Sequence, residues 1–450
     1  MAEIKKILIA NRGEIVQRAI RTIREMGKKS VAVYSAGDKN ASYLKHADEA
    51  VCIGGAKSKD SYLNIPAIIT AAEMTGCDAI FPGYGFLSEN QDFVEICRLH
   101  NIKFIGPSVE VMEKMADKSK AKEEMIRAGV PVVPGSKGAV HSVTEGKVVA
   151  AEIGYPIMAK AAAGGGGRGM RLIKEESEFD QLFMAASSEA LAAFGDGTMY
   201  LERFINNPRH IEVQVVGDSH GNAIHIGERD CSLQRRHQKV IEESPAILLN
   251  DETRAKLHEV AVKATKYLKY EGAGTFEFLA DDKQNIYFME MNTRLQVEHP
   301  VSEMVSGIDI VELMIKVAEG EKVPPQESIK FRGHAIECRI TAEDPNSFLP
   351  CPGKVTQWMV PGGRNVRVDS HVYTNYIVPP HYDSMIGKLI VWGRDRNKAI
   401  NIMKRALAEF EVEGIKTTIP FHQKMMENED FISNNYDTKY LENYKNLDEL

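Results

Sequence analysis

Short apolar runs alternate with amphipathic stretches in the N-terminal part of the chain. Residues 7–10, 31–34, 79–81 and 104–105 are runs typical of buried strands, and a helical apolar pattern through residues 15–23 follows the first run. Alternating strands and helices favour a parallel sheet with helices on both faces. We therefore predict a doubly wound α/β domain up to about residue 105. Because no Gly-x-Gly-x-x-Gly follows the first strand, the pattern does not by itself indicate dinucleotide binding.

Helical and strand patterns continue beyond this domain and are interrupted by two breaks rich in proline or glycine. The breaks fall at residues 129–135 and 321–326. Residues 255–267 and 400–410 have apolar positions at helical spacing, and residues 387–392 form a strand-like run. The predicted domains are 1–113, 114–325 with a subdomain at 131–205, and 326–450.

Polar side chains occupy alternate positions within residues 275–298, which read as two strands joined by a loop at residues 282–285. The register then places Glu277 opposite Glu290 on one face. Two carboxylates across a ladder repel each other unless a positive charge lies between them. Mg²⁺ prefers carboxylate and phosphate oxygens, so we predict a metal site here, with Asn292 on the same face. The alternative is a solvated face that carries acids by chance. On the apolar face, the predicted partners of Phe276, Phe278 and Ala280 are Met291, Met289 and Tyr287.

A glycine-rich loop follows Lys160, which ends a strand-like run at residues 156–160. Five glycines within residues 164–169 leave backbone amides free to approach an anion closely. The loop is not a Walker loop, because the lysine precedes the glycines and no Gly-Lys-Ser/Thr follows. We predict a mobile phosphate lid that orders over a bound nucleotide. The alternative is a flexible linker.

Composition narrows the classes of function. The chain has 450 residues, 43% hydrophobic and 26% charged, with a net charge of −7, as expected of a globular protein with two or three subdomains. This acidic balance gives no support for nucleic-acid binding. Positive charge is nevertheless concentrated locally, which suits a small anion, although a solvated basic loop is the alternative. The residues concerned are Arg229, Arg235, Arg236, His237 and Lys239.

Cysteine usage and the N-terminus indicate the compartment. The six cysteines form no Cys-x-x-Cys pair and show no zinc spacing, which favours free thiols in a reducing environment. The N-terminus lacks an apolar signal core, and no apolar run approaches membrane-spanning length. We expect a cytoplasmic protein with no membrane partner.

Several long motifs occur in an order that closely resembles the biotin carboxylases, ATP-grasp enzymes that carboxylate biotin with bicarbonate and ATP. The resemblance extends from Lys6 to about residue 445. It implies a pre-ATP-grasp doubly wound domain, an ATP-grasp domain with a mobile glycine-rich lid, and a C-terminal α+β domain. The motifs are Lys118, the glycine loop after Lys160, and residues 83–90, 227–239 and 290–300.

The resemblance also implies which residues bind ATP and metal. Glu277, Glu290 and Asn292 would hold Mg²⁺ or Mn²⁺, with two ions expected. Many relatives carry lysine where Arg203 stands, which keeps the charge. The implied ATP-binding residues are Lys118, Lys160, Gly164, Gly165, Gly166, Gly167, Met170, Glu202, Arg203, Ile205, His210, Gln234, His237 and Leu279.

Bicarbonate would lie among Lys239, Arg294, Gln296 and the amide of Val297. The planar fork of Arg294 matches two anion oxygens at once. This assignment follows from the resemblance and agrees with the local concentration of positive charge.

Glu298 is the implied general base. It would remove the bicarbonate proton, so that the anion attacks the γ-phosphorus and forms carboxyphosphate. From the pattern alone, the alternative is a structural ion pair between Glu298 and Arg294. The resemblance implies that Arg339 stabilises the biotin enolate in the later carboxyl transfer and that Tyr84 lies near the biotin pocket.

The sequence contains no Ala-Met-Lys-Met motif for biotin attachment. We therefore expect a stand-alone subunit that acts on a separate biotin carboxyl carrier protein, together with carboxyltransferase subunits and a second copy in a homodimer. Acetyl-CoA carboxylase is the first choice of complex, and two-subunit pyruvate carboxylase is the alternative. Another ATP-grasp carboxylating ligase and a nucleotide-sensing module without turnover are alternatives of other kinds.

Overall fold

The computed structural model describes residues 3–161, 169–236 and 238–443. The side chains of Lys118, Ser119, Phe194 and Asn443 also lie outside this description. Several predicted ATP-binding residues, and the predicted lid, therefore lie outside the described residues. They are Gly164, Gly165, Gly166, Gly167 and His237.

The N-terminal part contains the predicted doubly wound sheet. Its strands are β1 (Lys6–Ile9), β2 (Lys29–Ser35), β3 (Glu49–Gly54), β4 (Ala79–Phe81) and β5 (Lys103–Phe104), and its helices are α1 (Glu14–Glu25), α2 (Ile65–Thr75), α3 (Gln91–Leu99) and α4 (Val109–Ala116). The strands are parallel, in the order β3-β2-β1-β4-β5. Ile7, Leu8 and Ile9 are fully buried, because helices cover both faces of the central strand. The sequence analysis missed β3, although its residues 50–53 are apolar; most of this strand is exposed or half-buried.

A small antiparallel sheet follows α5 (Lys118–Ala128) and packs with two helices. Its strands are β6 (Ile157–Ala161), β7 (Met170–Ile173) and β8 (Met199–Arg203), and the helices are α6 (Val143–Ile153) and α7 (Phe179–Phe194). The strand order is β7-β6-β8. Ile157, Phe179 and Leu201 belong to a hydrophobic core within this unit. The predicted strand before the glycine loop is therefore present as β6.

A long antiparallel sheet forms the centre of the molecule. The remaining strands are β9 (Arg209–Gly217), β10 (Ala223–Arg235), β11 (Gln238–Ser244), β12 (Gly272–Ala280), β13 (Ile286–Asn292), β14 (His334–Thr341), β15 (Gly353–Lys354), β16 (Gln357–Met359), β17 (Val366–Ser370), β18 (Ile377–Val378), β19 (Met385–Gly393) and β20 (Glu411–Glu413). The long sheet has the order β13-β12-β9-β10-β11-β14-β19-β17, and β15 pairs with β18 and β16 with β20. The long sheet thus continues across the boundary proposed at residue 325.

Helices cover this sheet on the central and C-terminal sides. They are α8 (Asp251–Tyr267), α9 (His299–Ser306), α10 (Ile310–Ala318), α11 (Arg396–Glu409), α12 (Ile419–Glu427) and α13 (Glu429–Ser433), and 3₁₀ helices lie at Ala36–Asp38, Ser42–Lys45, Ser58–Asp60, Glu176–Glu178, Gln326–Ser328 and Tyr440–Asn443. The predicted helix at residues 255–267 begins earlier, because the Asn250 side chain caps the amide of Thr253. Within the described ranges, no helix combines the length and apolarity needed to cross a membrane.

The hairpin of β12 and β13 has the predicted register at its open end. Glu277 lies opposite Glu290, and Phe276 lies opposite Met291. The sequence pattern is a good guide here because side chains alternate strictly between the two faces of a strand.

Nearer the loop, the predicted register is wrong by one residue. A bulge at Met289 leaves this residue without a ladder partner, so the predicted pairs of Phe278 with Met289 and of Ala280 with Tyr287 do not form. The loop spans residues 281–285 instead of 282–285, and the Asp281 carboxylate accepts hydrogen bonds from two of its backbone amides. The observed pairs are Phe278 with Phe288, Leu279 with Tyr287, and Ala280 with Ile286.

Candidate active site

A cavity of about 1130 Å³ lies where the N-terminal sheet, the central sheet and the C-terminal strands meet. This volume is slightly above the usual range for a single small molecule, about 300–1,000 Å³, which favours a nucleotide together with a second substrate. The structure brings together thirteen predicted site residues around it. They are Tyr84, His210, Gln234, Lys239, Leu279, Glu277, Glu290, Asn292, Arg294, Gln296, Val297, Glu298 and Arg339.

Lys239 lies at the centre of a cluster of carboxylates. Its Nζ is 2.5 Å from Glu212 Oε2, 2.9 Å from Glu277 Oε1 and 2.5 Å from Glu298 Oε1. All three glutamates are buried, so the ammonium group neutralises charges that water does not solvate. Burial lowers the pKa of Lys239, but attraction to Glu212 and Glu298 outweighs burial and holds this pKa well above its ordinary value. Lys239 is therefore a constant cation.

Glu298 has a cation on each carboxylate oxygen. Lys239 contacts Oε1, and an Arg339 guanidinium nitrogen donates to Oε2 at 2.9 Å. Burial raises the pKa of Glu298, but Lys239 and Arg339 bring it below its ordinary value. Glu298 is consequently ionised at neutral pH and able to accept a proton. Its ion pairs are with these two residues and not with Arg294, the partner considered from the sequence pattern.

Arg339 is anchored by a second carboxylate that the sequence analysis did not single out. Its Nε and a terminal nitrogen lie 2.6 Å and 2.5 Å from Glu242 Oε1. Burial raises the pKa of Glu242 to about 7, although Arg339 acts in the opposite direction. His422 donates to the Arg339 carbonyl at 2.7 Å and fixes the strand at this point. The guanidinium group is thus held from both its side chain and its backbone.

Below the cavity, Arg229 and Glu212 form a buried layer to which the sequence analysis gave no individual role. Arg229 Nε donates to Glu212 Oε1 at 2.6 Å, and a terminal nitrogen donates to Gln296 Oε1 at 2.8 Å. Both Arg229 and Glu212 are fully buried. The signal that points to Glu212 is the period of two in β9, where His210, Glu212 and Gln214 alternate with apolar residues.

Glu277 is surrounded by hydrogen-bond donors and faces Glu290 on the neighbouring strand. Burial raises its pKa, but Lys239 and His210 hold this pKa well below its ordinary value. These two groups supply the positive charge that a pair of facing carboxylates requires. An ionised carboxylate opposite a second one is a hard oxygen donor set and fits Mg²⁺. Asn292 Nδ2 donates to Glu277 at 2.8 Å and Gln296 Nε2 at 2.7 Å, and His210 Nε2 forms an ion pair with it at 3.0 Å.

Arg294 lines the cavity, but its guanidinium group is occupied by protein partners. Nε donates to Glu89 Oε2 at 2.8 Å, and a terminal nitrogen donates to Asn292 Oδ1 at 3.0 Å. Glu89 also accepts a hydrogen bond from the Thr293 amide at 3.0 Å. Glu89 belongs to the motif at residues 83–90, yet nothing in that motif indicated its contact with Arg294.

Tyr84 reaches the cavity from the N-terminal sheet. Its hydroxyl donates to Oε1 of Glu14, which is buried. Burial and the Glu14 charge both raise the pKa of Tyr84 well above its ordinary value. The hydroxyl is therefore neutral and acts as a hydrogen-bond donor.

Two predicted nucleotide-binding residues form an ion pair in the small sheet. Lys160 Nζ is 2.5 Å from Glu202 Oε2, and Lys122 Nζ is 3.3 Å from Glu202 Oε1. Their side chains are 41%, 28% and 32% exposed for Lys160, Glu202 and Lys122. These groups do not line the cavity formed by the described residues.

Met170, Arg203 and Ile205, also predicted to bind the nucleotide, do not line this cavity among the described residues either, whereas His210, Gln234 and Leu279 do. Met170 pairs with Lys160 across β6 and β7. Arg203 donates to the Ile153 carbonyl at 2.6 Å, within the small unit. Ile205 lies in the loop after β8, and Lys118 is the first residue of α5.

Family models match nearly the whole chain. The N-terminal domain of biotin carboxylase matches residues 3–112, the ATP-binding domain of the carbamoyl-phosphate synthase L chain matches residues 117–326, and the biotin carboxylase C-terminal domain matches residues 337–443. The chain belongs to the biotin carboxylase family. The predicted family, its α/β fold and its assignment as an ATP-dependent ligase are thereby confirmed, and family membership supports the ATP-dependent carboxylation of biotin.

Curated relatives are similar over their full lengths. A biotin carboxylase from Nostoc sp. is 56% identical over 439 residues, which cover 97% of this chain and 98% of the relative. A pyruvate carboxylase subunit from Methanothermobacter thermautotrophicus is 52% identical over 442 residues, which cover 98% of this chain and 90% of the relative. Sequence similarity of this extent does not separate the two kinds of complex.

Solved structures share both the fold and the sequence. A Campylobacter jejuni biotin carboxylase in a β-γ-ATP complex has a TM-score of 0.89 and 68% identity, covering 98% of this chain and 99% of that one. The biotin carboxylase domain dimer of Hydrogenobacter thermophilus 2-oxoglutarate carboxylase, in complex with MgADP, ADP and bicarbonate, has a TM-score of 0.86 and 49% identity, covering 98% of both chains.

Proposed function

We propose that this chain catalyses the first half-reaction of a multi-subunit carboxylase, in which biotin on a separate carrier protein is carboxylated with ATP and bicarbonate. The observation that carries the proposal is Glu298, an ionised carboxylate fixed between Lys239 and Arg339 at the wall of a large cavity. A fixed base beside two constant cations is suited to activating a small anion.

Bicarbonate would bind among Lys239, Arg294, Gln296 and the Val297 amide. Glu89 forms an ion pair with Arg294, and its side chain is 39% exposed. A pair as exposed as this one contributes only about 0–1 kcal/mol, so the anion can replace Glu89 at little cost. The guanidinium fork would then face two bicarbonate oxygens.

The proposed chemistry begins when Glu298 takes the bicarbonate proton. The resulting oxygen attacks the γ-phosphorus of ATP, a new O–P bond forms, and the bond to ADP breaks to leave carboxyphosphate. Carboxyphosphate breaks down to CO₂ and phosphate, and the phosphate removes a proton from the ureido nitrogen of biotin. Arg339, anchored by Glu242, would stabilise the negative charge on the enolate oxygen while the deprotonated ureido nitrogen attacks CO₂ and forms the N–C bond of carboxybiotin, with Tyr84 beside the ring.

Glu277 and Glu290 would hold Mg²⁺ or Mn²⁺ together with the ATP phosphates, with Asn292 close by and two ions expected. Such metal would supply neutralisation of the phosphate charge during transfer. The protein groups themselves keep Glu277 ionised and oriented through Lys239 and His210. The MgADP and bicarbonate present in the Hydrogenobacter thermophilus structure support this arrangement.

ATP would extend from the cavity towards the small sheet. Lys160 would exchange Glu202 for phosphate oxygens, and Lys118 would add a second cation. His210, Gln234 and Leu279 line the cavity, and they would contact the nucleotide there.

The proposed complex is acetyl-CoA carboxylase, with a biotin carboxyl carrier protein and carboxyltransferase subunits as partners. The similarity to a pyruvate carboxylase subunit makes a two-subunit pyruvate carboxylase the second candidate. A homodimer is proposed as well, supported by the dimer of the Hydrogenobacter thermophilus domain.

The proposal is tested by measuring phosphate release from ATP with and without bicarbonate, free biotin and biotinylated carrier. We expect release to require bicarbonate, and carrier-bound biotin to be used far more efficiently than free biotin, because carrier contacts contribute binding energy. Biotin attached covalently to this chain, or no preference for the carrier, would contradict the separate carrier. Adding carboxyltransferase subunits with acetyl-CoA or pyruvate then separates the two candidate complexes.

A further inference from the structure

Lys388 is a buried cation in β19 that lies next to the proposed active site without lining its cavity. Its side chain is 0% exposed. Nζ donates to the Val297 carbonyl at 2.6 Å and lies 3.1 Å from Glu14 Oε1. In the ladder of β14 and β19, Lys388 stands opposite Arg339. One side chain from the C-terminal strands thus contacts both the N-terminal helix α1 and the segment before α9.

The first contact bears on the general base. The Val297 carbonyl belongs to the peptide bond that leads into Glu298, and Glu298 is the N-cap residue of α9. A charged donor held on this carbonyl restricts rotation of the peptide, and with it the direction in which the Glu298 side chain leaves the backbone. The Val297 amide, proposed to bind bicarbonate, belongs to the same residue.

The second contact bears on the biotin side of the cavity. Glu14 Oε1 accepts the hydrogen bond of the Tyr84 hydroxyl and also lies beside Lys388 Nζ. Lys388 therefore fixes the carboxylate that orients Tyr84. Because Glu14 is only 2% exposed at the wall of the cavity, its position depends largely on these partners.

Packing alone does not call for a lysine at this position. Its strand neighbours Ile386, Leu389 and Ile390 are buried and apolar, and an apolar side chain of similar length would avoid removing a charge from water. Burial lowers the pKa of Lys388, but Glu14 foremost raises it above its ordinary value, so the charge is retained.

We propose that Lys388 is a positioning residue that holds two subsites in register: the peptide that carries Glu298 and the Glu14–Tyr84 pair at the biotin subsite. It acts through the Val297 carbonyl and through Glu14, and it touches no substrate. This inference rests on the roles proposed above for Glu298 and Tyr84.

The test is Lys388→Met, with steady-state kinetics for ATP, bicarbonate and biotinylated carrier. We expect kcat for bicarbonate-dependent ATP cleavage to fall by about 10- to 100-fold, the range expected for a small misplacement of a reacting group. The KM for carrier-bound biotin should rise, whereas the KM for ATP should stay near that of the wild type. Glu14→Gln should raise the KM for biotin while affecting ATP cleavage less than Lys388→Met.

Arg396→Met is the matched control, because Arg396 is another buried cation, paired with Glu243 at 2.7 Å and remote from the cavity lining. It should lower the urea midpoint without a selective change in any KM. If Lys388→Met shows the same pattern, with reduced stability and unchanged kinetics, Lys388 is merely structural and the proposal is wrong.

A second pair of variants covers the case in which Lys388→Met does not fold. Lys388→Arg keeps the charge but changes its reach, and it should shift kcat in the same direction by a smaller factor. Wild-type kinetics in folded Lys388→Arg and Glu14→Gln would overturn the positioning role. Wild-type protein without bicarbonate-dependent ATP cleavage would instead overturn the proposed function, and this inference with it.

Discussion

The ion pairs at the two ends of the proposed active site differ in how far they are exposed to solvent. On the central sheet, the Glu212 and Glu298 side chains are 0% and 3% exposed around a Lys239 that is 13% exposed. In the small sheet, Lys160 and Glu202 form a pair whose side chains are 41% and 28% exposed. Removing one partner of a buried pair costs about 3–5 kcal/mol, whereas an exposed pair contributes about 0–1 kcal/mol.

This difference in exposure suits two different roles, catalysis of the chemical step on the central sheet and nucleotide binding in the small sheet. The central cluster is fully connected before any substrate arrives, so its groups need little reorganisation during the chemical step. The pair in the small sheet exchanges one partner for another at low cost, which suits a group that releases a glutamate and accepts a phosphate. We therefore expect variants of the central end to change kcat and variants of the small sheet to change the KM for ATP.

The largest effect is expected for Glu298→Gln. Loss of a general base typically costs about 10²- to 10⁴-fold, and bicarbonate-dependent ATP hydrolysis should fall by at least that order while ATP binding is preserved. Phosphate release and ATP affinity are the measurements. Glu343→Gln, at another carboxylate that lines the cavity, is the control. Near-normal turnover of Glu298→Gln would remove this residue from the mechanism.

The second-largest effect is expected for Arg339→Ala. Carboxyl transfer to biotin should fall on the order of 10²-fold or more, and ATP cleavage should fall less. Because Arg339 lowers the pKa of Glu298, its removal should raise that pKa. A base has to be unprotonated, so the acid limb of bicarbonate-dependent ATP cleavage should move to higher pH. The rate profiles have to extend below pH 4.5, the ordinary pKa of a glutamate, because the pKa of Glu298 in the wild type lies below that value. An unmoved acid limb would mean that Glu298 does not respond to this contact.

Glu290→Gln probes the proposed metal site on the hairpin of β12 and β13. The Mg²⁺ concentration needed for half-maximal ATP cleavage should rise by about tenfold or more, since even the loss of a group behind a metal ligand costs about 10- to 100-fold. A titration of activity with Mg²⁺ at saturating ATP measures this, and Asp282→Asn in the loop of the same hairpin serves as control. The metal assignment is wrong if the two variants respond to Mg²⁺ like the wild type.

The smallest effect is expected for Lys160→Met. The KM for ATP should rise by up to about tenfold with kcat largely retained, because a single exposed charge contributes on the order of 1 kcal/mol. Lys147→Met, in the neighbouring α6 and paired with Asp180 at 2.8 Å, is the matched control and should leave KM unchanged. A large fall in kcat for Lys160→Met would show that the small sheet contributes to the chemical step and not only to ATP binding.

The local pattern of apolar and polar residues was sufficient to predict the parts of the fold that depend on residues close together in sequence. The alternation of strands and helices predicts the doubly wound sheet, and the alternation of faces predicts the contact between Glu277 and Glu290 across a short hairpin. The same reasoning fails at Met289, because a bulge inserts one residue and nothing in the pattern signals it. Most individual site residues came from the family resemblance and not from periodicity.

The amino-acid sequence alone was enough to predict the family, the alternation of strands and helices in the N-terminal domain, and the residue types available for chemistry. Tertiary packing determines which charges meet: Arg339 reaches Glu242 because β14 lies beside β11 in the long sheet, and Lys388 of β19 reaches Glu14 of α1. The physical reason is the sequence separation of the residues that interact. Side-chain periodicity reports the environment of one strand or helix, whereas ion pairs between distant segments depend on strand order and packing, which no local pattern encodes.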